Sequence, residues 1–286
     1  MKPREIVVIS GKGGTGKTTF TSLLVASFGK AVICDADVDA PDLEILLKPD
    51  RIDEQPFWGM QTAEANPDLC TGCGACVAAC RFDAISMTGG KAMVDTSFCE
   101  GCDVCRRVCP QKAISLVDTR QGTSYEGLTQ WGPMWHARLN PGGENSGKLV
   151  QFLRESALHT ARERDIPLIL TDGPPGIACP AISAITGADL AIAVTEPSKA
   201  AFHDVERLSQ VTSRFGIPTA FVVNKADLAP KLAKQLKEEA RARNWNVLGE
   251  IPFNRTVVDA VAETRIPVRE LDEEIQSIRK RLEDFL

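Results

Sequence analysis

Residues 11–18 read Gly-Lys-Gly-Gly-Thr-Gly-Lys-Thr, which meets the G-x-x-x-x-G-K-[ST] phosphate-loop pattern at each required position. Gly11, Gly13, Gly14 and Gly16 let a backbone curl until its N–H groups point inward at phosphate oxygens. The start of a helix adds favourable dipole charge at the same place. Lys17 is suited to β- and γ-phosphates and the Thr18 hydroxyl to Mg²⁺. The expected phosphate cradle is Gly11, Lys12, Gly13, Gly14, Thr15, Gly16, Lys17, Thr18 and Thr19.

A second group of residues has a different chemistry. Cys70, Cys73, Cys76 and Cys80 are spaced C-x2-C-x2-C-x3-C, and Cys99, Cys102, Cys105 and Cys109 repeat that spacing. It resembles the run of two-cluster bacterial ferredoxins, in which the fourth cysteine of each run serves the other cluster. The resemblance implies Cys70, Cys73, Cys76 and Cys109 around one [4Fe–4S] cluster. Cys99, Cys102, Cys105 and Cys80 would surround the other. Gly72, Gly74 and Gly101 supply tight turns beside a bulky group. Pro110 follows Cys109 as the pattern expects, but Arg81 follows Cys80. Zinc sites pair two C-x2-C units across a longer gap, so this spacing weighs against zinc.

Lys12 extends the first motif. The text Gly-Lys-Gly-Gly-x-Gly-Lys-Thr-Thr resembles the deviant phosphate loop of MinD/ParA/Mrp-type ATPases and the nitrogenase iron protein. The resemblance implies that ATP is sandwiched in a dimer, with Lys12 reaching the partner's nucleotide. That dimer is a homodimer or a pair with a close paralogue. Asp35-Ala36-Asp37 resembles the family's first switch, which implies that Asp37 orients the attacking water and that Asp35 sits near Mg²⁺. Residues 169–176, Ile-Leu-Thr-Asp-Gly-Pro-Pro-Gly, resemble its second switch. Asp172 at a strand end is then placed to hold Mg²⁺ through water. Asn224 is expected at the adenine edge. The text Asn224-Lys225-Ala226-Asp227 also resembles a guanine-reading motif, so ATP follows from the family resemblance. The expected catalytic residues are thus Lys12, Lys17 and Asp37.

These residues need a scaffold. Residues 6–9 are an unbroken β-branched run, as in a parallel strand covered on both faces. Residues 31–34, 168–171, 190–194, 220–223 and 247–251 read as further strands. Helices are expected over 18–28, 43–47, 148–164, 202–215 and 231–243. This alternation predicts an α/β fold with a mostly parallel sheet and helices on both faces. The expected division is a discontinuous ATPase domain, residues 1–61 and 119–286, interrupted at 62–118 by a small α+β ferredoxin-like domain. Residues 49–61 and 119–147 are rich in Pro, Gly and Trp and read as connectors.

Net charge is −5 over 286 residues, with ten cysteines. That balance gives no electrostatic case for nucleic acid. No apolar run is long enough to span a bilayer. The N-terminus shows no secretion signal, so a cytoplasmic location with reduced thiols is expected. Cys34 and Cys179 read as packed thiols, and His136, His159 and His203 as surface or packing residues. The terminal helix from residue 269 mixes both charge signs opposite its apolar face, unlike a basic membrane anchor.

The leading functional reading is an ATPase whose nucleotide-driven rearrangement is coupled to electron transfer through two clusters to a redox partner. The alternative is an ATP-dependent factor that loads a metal centre into an acceptor protein. A positioning ATPase like MinD or ParA ranks last, for want of a basic surface or membrane helix.

Overall fold

The computed structural model describes residues 2–141, 143 and 146–285. Met1, Leu286 and, within the 119–147 segment, Gly142, Glu144 and Asn145 lie outside the described residues. The strands are β1 (Arg4–Ser10), β2 (Val32–Asp35), β3 (Asp50–Ala65), β4 (Ile85–Thr88), β5 (Lys91–Val94), β6 (Ile114–Thr129), β7 (Gly132–Leu139), β8 (Leu168–Pro175), β9 (Leu190–Thr195), β10 (Thr219–Asn224) and β11 (Asn246–Ile251). The helices are α1 (Lys17–Phe28), α2 (Leu43–Leu47), α3 (Ala75–Ala79), α4 (Val104–Val108), α5 (Ser146–Glu163), α6 (Cys179–Ile185), α7 (Lys199–Arg214), α8 (Pro230–Ala242), α9 (Arg255–Ala262) and α10 (Asp272–Glu283).

The chain divides into two compact units. The first comprises Met1–Glu54, Ser124–Arg138 and Ser146–Leu286, and the second Gln55–Thr123 and Leu139–Asn145. The large sheet has the order β11-β10-β9-β1-β8-β2-β7-β6-β3. From β11 to β7 the paired neighbours are parallel.

Central strands of such a sheet are buried on both faces, and β1 shows it: Ile6, Val7, Val8 and Ile9 are all essentially inaccessible. Alternate residues point to opposite faces. On one face Ile6, Val8 and Val222 join Phe20 and Leu24 of α1 and Ile275 and Ile278 of α10 in a single core. On the other, Val223 packs against Ala233 and Leu236 of α8. The interior position of the terminal helix α10 agrees with its expected packing role.

The segment expected as a connector at 49–61 is instead most of β3, and 119–147 supplies the larger part of β6 and all of β7. Pro56 and Gly59 hid the first of these. A proline costs a ladder hydrogen bond in a central strand but is tolerated on an edge strand. β3 is the edge of its sheet.

The second unit is small. β4 and β5 form an antiparallel hairpin closed by Gly89 and Gly90. α3 and α4 pack on each other. A core of Ala63, Cys76, Ile85, Ala92, Cys105 and Ile114 sits among them. Its two cysteine runs have matching local structure. In each, the first two cysteines lead through a left-handed residue, Gly74 (φ 73°) or Asp103 (φ 68°), into a five-residue helix carrying the third cysteine. Asp103 adopts this glycine-like conformation with its carboxylate held by Arg106 and Arg107.

Candidate functional site

The loop between β1 and α1 lines a cavity of ≈ 470 Å³ together with Asp37, Asp39, Asp42, Pro174 and Pro175. Gly16 turns the loop into α1 with φ 88°, and a Cβ there would lie 2.3 Å from Asn224 Nδ2. The sequence therefore has glycine where backbone conformation and close approach both require it. Thr15 Oγ1 is buried and has no hydrogen-bond partner. An orphaned buried hydroxyl in a phosphate-type loop fits a ligand that completes its bonding.

Lys17 is buried among carboxylates. Its Nζ lies 2.7 Å from Asp172 Oδ2 and 3.3 Å from Asp37 Oδ2. Thr18 Oγ1 donates to Asp172 Oδ2 and Thr21 Oγ1 to Asp172 Oδ1, both at 2.7 Å. Asp35 is opposite Asp172 in the β2–β8 register. It accepts from the N–H groups of Asp37 and Leu43. Burial would lower the Lys17 pKa, but Asp172 and Asp37 raise it further, so the ammonium is held charged. Asp35 is pushed well up by burial and by the charge of Asp172. Asp37 is raised by burial, against the pull of Lys17. Three carboxylates thus share one lysine, an arrangement that favours an added cation.

Lys12 and Asn224 sit at the mouth of the loop. Lys12 Nζ is 2.6 Å from Glu196 Oε1 and partly exposed. Lys225 Nζ bonds Gly14 O and lies 3.4 Å from Glu196 Oε2. Asn224 Nδ2 donates to Thr15 O at 2.7 Å. Beside them a largely apolar cavity of ≈ 190 Å³ is lined by Gly16, Thr19, Phe20, Asn224, Pro252 and Val257, among others. Asp227 bonds Phe253 N instead. Glu196 and Thr21 were not anticipated. Glu196 follows the C-terminal end of β9, the edge where ligands bind in open α/β sheets, and that placement was the available signal.

The cysteines assemble across the two runs. Cys70, Cys73, Cys76 and Cys109 line one cavity. Cys76 feels the charges of Cys70 and Cys109, and Cys105 those of Cys99 and Cys102. Cys80 lies half-buried at the end of α3, against the same small core. Backbone N–H groups of Ala92, Ala63 and Ala113 donate to the sulfurs of Cys70, Cys99 and Cys109. Gly72, Gly74 and Gly101 all have positive φ. Among the described residues, no group of three or more His, Cys, Asp or Glu side chains is arranged to hold a single metal ion. A four-iron cubane has a different requirement, since its four thiolates stand apart around a bulky core. The soft four-thiolate set at one cavity fits such a group.

One expectation is corrected. Cys179, expected as a buried thiol, is exposed because it opens α6 rather than packing in a loop. His136 takes the packing role: it is buried and stacked on Tyr125, with Nδ1 close to Glu44 but not hydrogen-bonded to it. Cys34 is fully buried as expected, and burial pushes its thiol pKa up. His159 is exposed.

A parallel sheet with a glycine-rich loop after β1 and carboxylates at neighbouring strand ends defines a P-loop nucleoside triphosphatase scaffold. The model of the CobQ/CobB/MinD/ParA nucleotide-binding domain family matches residues 6–268, and the chain belongs to this family of MinD/ParA-type P-loop ATPases. It is 36% identical to the uncharacterized protein MJ0578 of Methanocaldococcus jannaschii over 226 residues, 77% of this chain and 78% of the other. Its fold is similar to that of the cell division ATPase MinD of Pyrococcus furiosus (TM-score 0.58, 19% identity, 100% of both chains). It is also similar to the septum site-determining protein MinD of Pyrococcus horikoshii, solved with Mg-ADP (TM-score 0.55, 19% identity, 96% of this chain and 93% of the other). These likenesses support a MinD/ParA-like ATPase, and of the three functional readings above they fit best the one placed last, an ATPase like MinD or ParA. Among the described residues, no helix is long and apolar enough to cross a membrane.

Proposed function

We propose that this chain is a MinD/ParA-like ATPase that hydrolyses Mg-ATP and carries two [4Fe–4S] clusters in an inserted ferredoxin-like unit, residues 62–118. The observation that carries the cluster half is the meeting of Cys109 with Cys70, Cys73 and Cys76 at one cavity. Cys109 lies 33 positions beyond Cys76 in the chain, and cross-ligation is what a two-cluster site requires. Cys99, Cys102, Cys105 and Cys80 would hold the second cluster. The clusters supply one-electron transfer at low potential.

The nucleotide half rests on this chain's own groups. Phosphates would enter the cavity beside the 11–18 loop, where the N–H groups and Lys17 receive them. Lys17 then exchanges its carboxylates for phosphate oxygens. Asp172, released from that pairing, and Asp35 opposite it in the sheet would hold Mg²⁺ through water beside the Thr18 hydroxyl. Asp37, less buried than Asp35, is the group available to orient a water. The apolar cavity at Thr19 and Asn224 suits a base, and the bond from Phe253 N to Asp227 favours adenine over guanine. The Mg-ADP in the Pyrococcus horikoshii protein supports the same ligand. Lys12 would cross to the nucleotide of a second subunit in a homodimer or paralogue pair. ATP-driven rearrangement is then coupled to electron transfer to a redox acceptor. If clusters instead move to an apo-acceptor, the alternative of metal-centre assembly replaces electron transfer.

The test is anaerobic purification followed by iron, sulfide and Mg-dependent ATPase assays. Bound iron and sulfide with ATP turnover abolished by Lys17→Ala support the proposal. Protein without iron removes the cluster half, and protein without turnover removes the ATPase half.

A further inference from the structure

Glu44 stands in the first turn of α2, directly after Leu43, whose N–H bonds Asp35 Oδ2 at 3.0 Å. The Glu44 carboxylate is taken by β7. Arg138 Nε donates to Oε1 at 2.9 Å, and the terminal nitrogen of the same guanidinium reaches that oxygen too. His136 Nδ1 lies 3.0 Å from Oε2, in contact but without a hydrogen bond. His136 in turn stacks on Tyr125 of β6, with centroids 5.0 Å apart and planes at 25°. Arg51 of β3 covers the Tyr125 ring at 4.2 Å. One contiguous set of contacts therefore runs from Asp35 through Leu43, Glu44, His136 and Tyr125 to Arg51.

The three strands it reaches share a further property. β3 passes into the cysteine-bearing unit at Gln55, β6 emerges from it after Thr123, and β7 enters it at Leu139. Of the switch segments, the one after β2 is thus bolted to each of these strands within a few residues of where the chain changes unit. Coupling needs an element with two arrangements that both ends can bias. α2 meets that need. It is a single turn whose first amide is bound by Asp35, a carboxylate proposed to turn toward Mg²⁺ when nucleotide enters, and whose next side chain grips β7.

We infer that Glu44 is a positioning residue that ties the Asp35–Asp37 segment to the three strands leading into the cysteine-bearing unit, so that the nucleotide state of the loop alters that unit. The inference rests on the nucleotide-switch half of the proposed function and not on its clusters.

The experiment is hydrogen–deuterium exchange on the full chain, nucleotide-free, with Mg-ADP, and with Mg and a non-hydrolysable ATP analogue. Nucleotide binding is measured separately by calorimetry. The wild type is expected to show a nucleotide-dependent change in uptake over residues 55–65 and 114–123. Glu44→Ala is expected to lose that difference while still binding nucleotide. Arg138→Met removes the same pair from its exposed side and serves if Glu44→Ala fails to fold; Arg138 is 58% exposed against 12% for Glu44. A merely structural Glu44 would lower the melting temperature and keep the difference, which overturns the inference. A wild type that binds nucleotide with no change over these peptides also overturns it. Absence of nucleotide binding defeats the ATPase reading as well, and calorimetry identifies that case.

Discussion

Lys12 Nζ and Glu196 Oε1 lie 2.6 Å apart, so the lysine expected to serve a second subunit is held within its own. Hydrogen bonding to Lys12 draws the Glu196 pKa down, so the carboxylate stays ionised in this pair. Both side chains are partly exposed, so solvent screens the attraction and the latch is worth below about 1 kcal/mol. The pair is therefore strong enough to bias Lys12 and weak enough to be exchanged for phosphate.

It follows that Glu196→Gln frees Lys12 and tightens nucleotide-dependent self-association, by up to about fivefold for a latch of that size. Lys12→Ala abolishes the association. Sedimentation velocity with Mg and a non-hydrolysable ATP analogue reads both. Unchanged association in Lys12→Ala would remove the trans role of this lysine.

The charge crowding at Asp35 predicts a pH dependence. Its folded pKa is raised by burial and by Asp172, so the folded state prefers Asp35 protonated. The stability from this group is complete below about pH 4, the unfolded value, and is lost as pH rises through the raised folded value. In nucleotide-free protein without Mg²⁺, melting temperature should therefore fall with rising pH above about 4 less steeply in Asp35→Asn than in wild type. The variant also forfeits an acceptor for Asp37 N or Leu43 N, which offsets the whole curve but not its slope. Thermal melts across that range check the difference. Parallel curves would contradict it.

Asn224 holds the loop through Thr15 O and lines the apolar cavity. One lost hydrogen bond of about 1 kcal/mol predicts roughly fivefold weaker ADP binding in Asn224→Ala. Competition calorimetry in wild type should also favour ADP over GDP, because Asp227 is bonded to Phe253 N. Preference for GDP would reverse the base assignment.

The proposed cross-ligation predicts a paired result. Cys109→Ala should disturb the centre at Cys70, Cys73 and Cys76, although Cys109 belongs to the other run. Cys80→Ala should disturb the centre at Cys99, Cys102 and Cys105. Each variant should keep roughly half the iron, about four atoms in place of eight. Mössbauer and iron analysis of anaerobic protein measure this. Full iron retention in both variants would dissolve the ligand sets.

What the sequence revealed depended on how local the physics was. The β1 run at 6–9 and the glycines of the loop state their structure in consecutive residues, and both lie where expected. The cysteine spacing is local as well, and the expectation that Cys109 joins the first triplet came from a resemblance in that spacing; the four line one cavity. β3 was not legible because Pro56 reads as a strand breaker until the strand is known to be an edge. The Glu44–Arg138 pair spans 94 positions, and only the adjacency of α2 and β7 brings it together. Glu196 was missed for the same reason, since its partner Lys12 lies on a different element. Cys179 was misread because free cysteine is usually buried, and the helix start at α6 leaves this one in solvent.

The proposal of an ATP-driven switch and two iron–sulfur cubanes on one chain requires that both act on a single spectrum. Electron paramagnetic resonance of the anaerobically purified, dithionite-reduced protein, recorded with and without Mg-ATP, gives that spectrum. The expected result is the signal of two interacting reduced [4Fe–4S] clusters, altered when Mg-ATP is added. Reduced protein with no cluster signal, or a signal indifferent to saturating Mg-ATP, would contradict the coupling of the two halves.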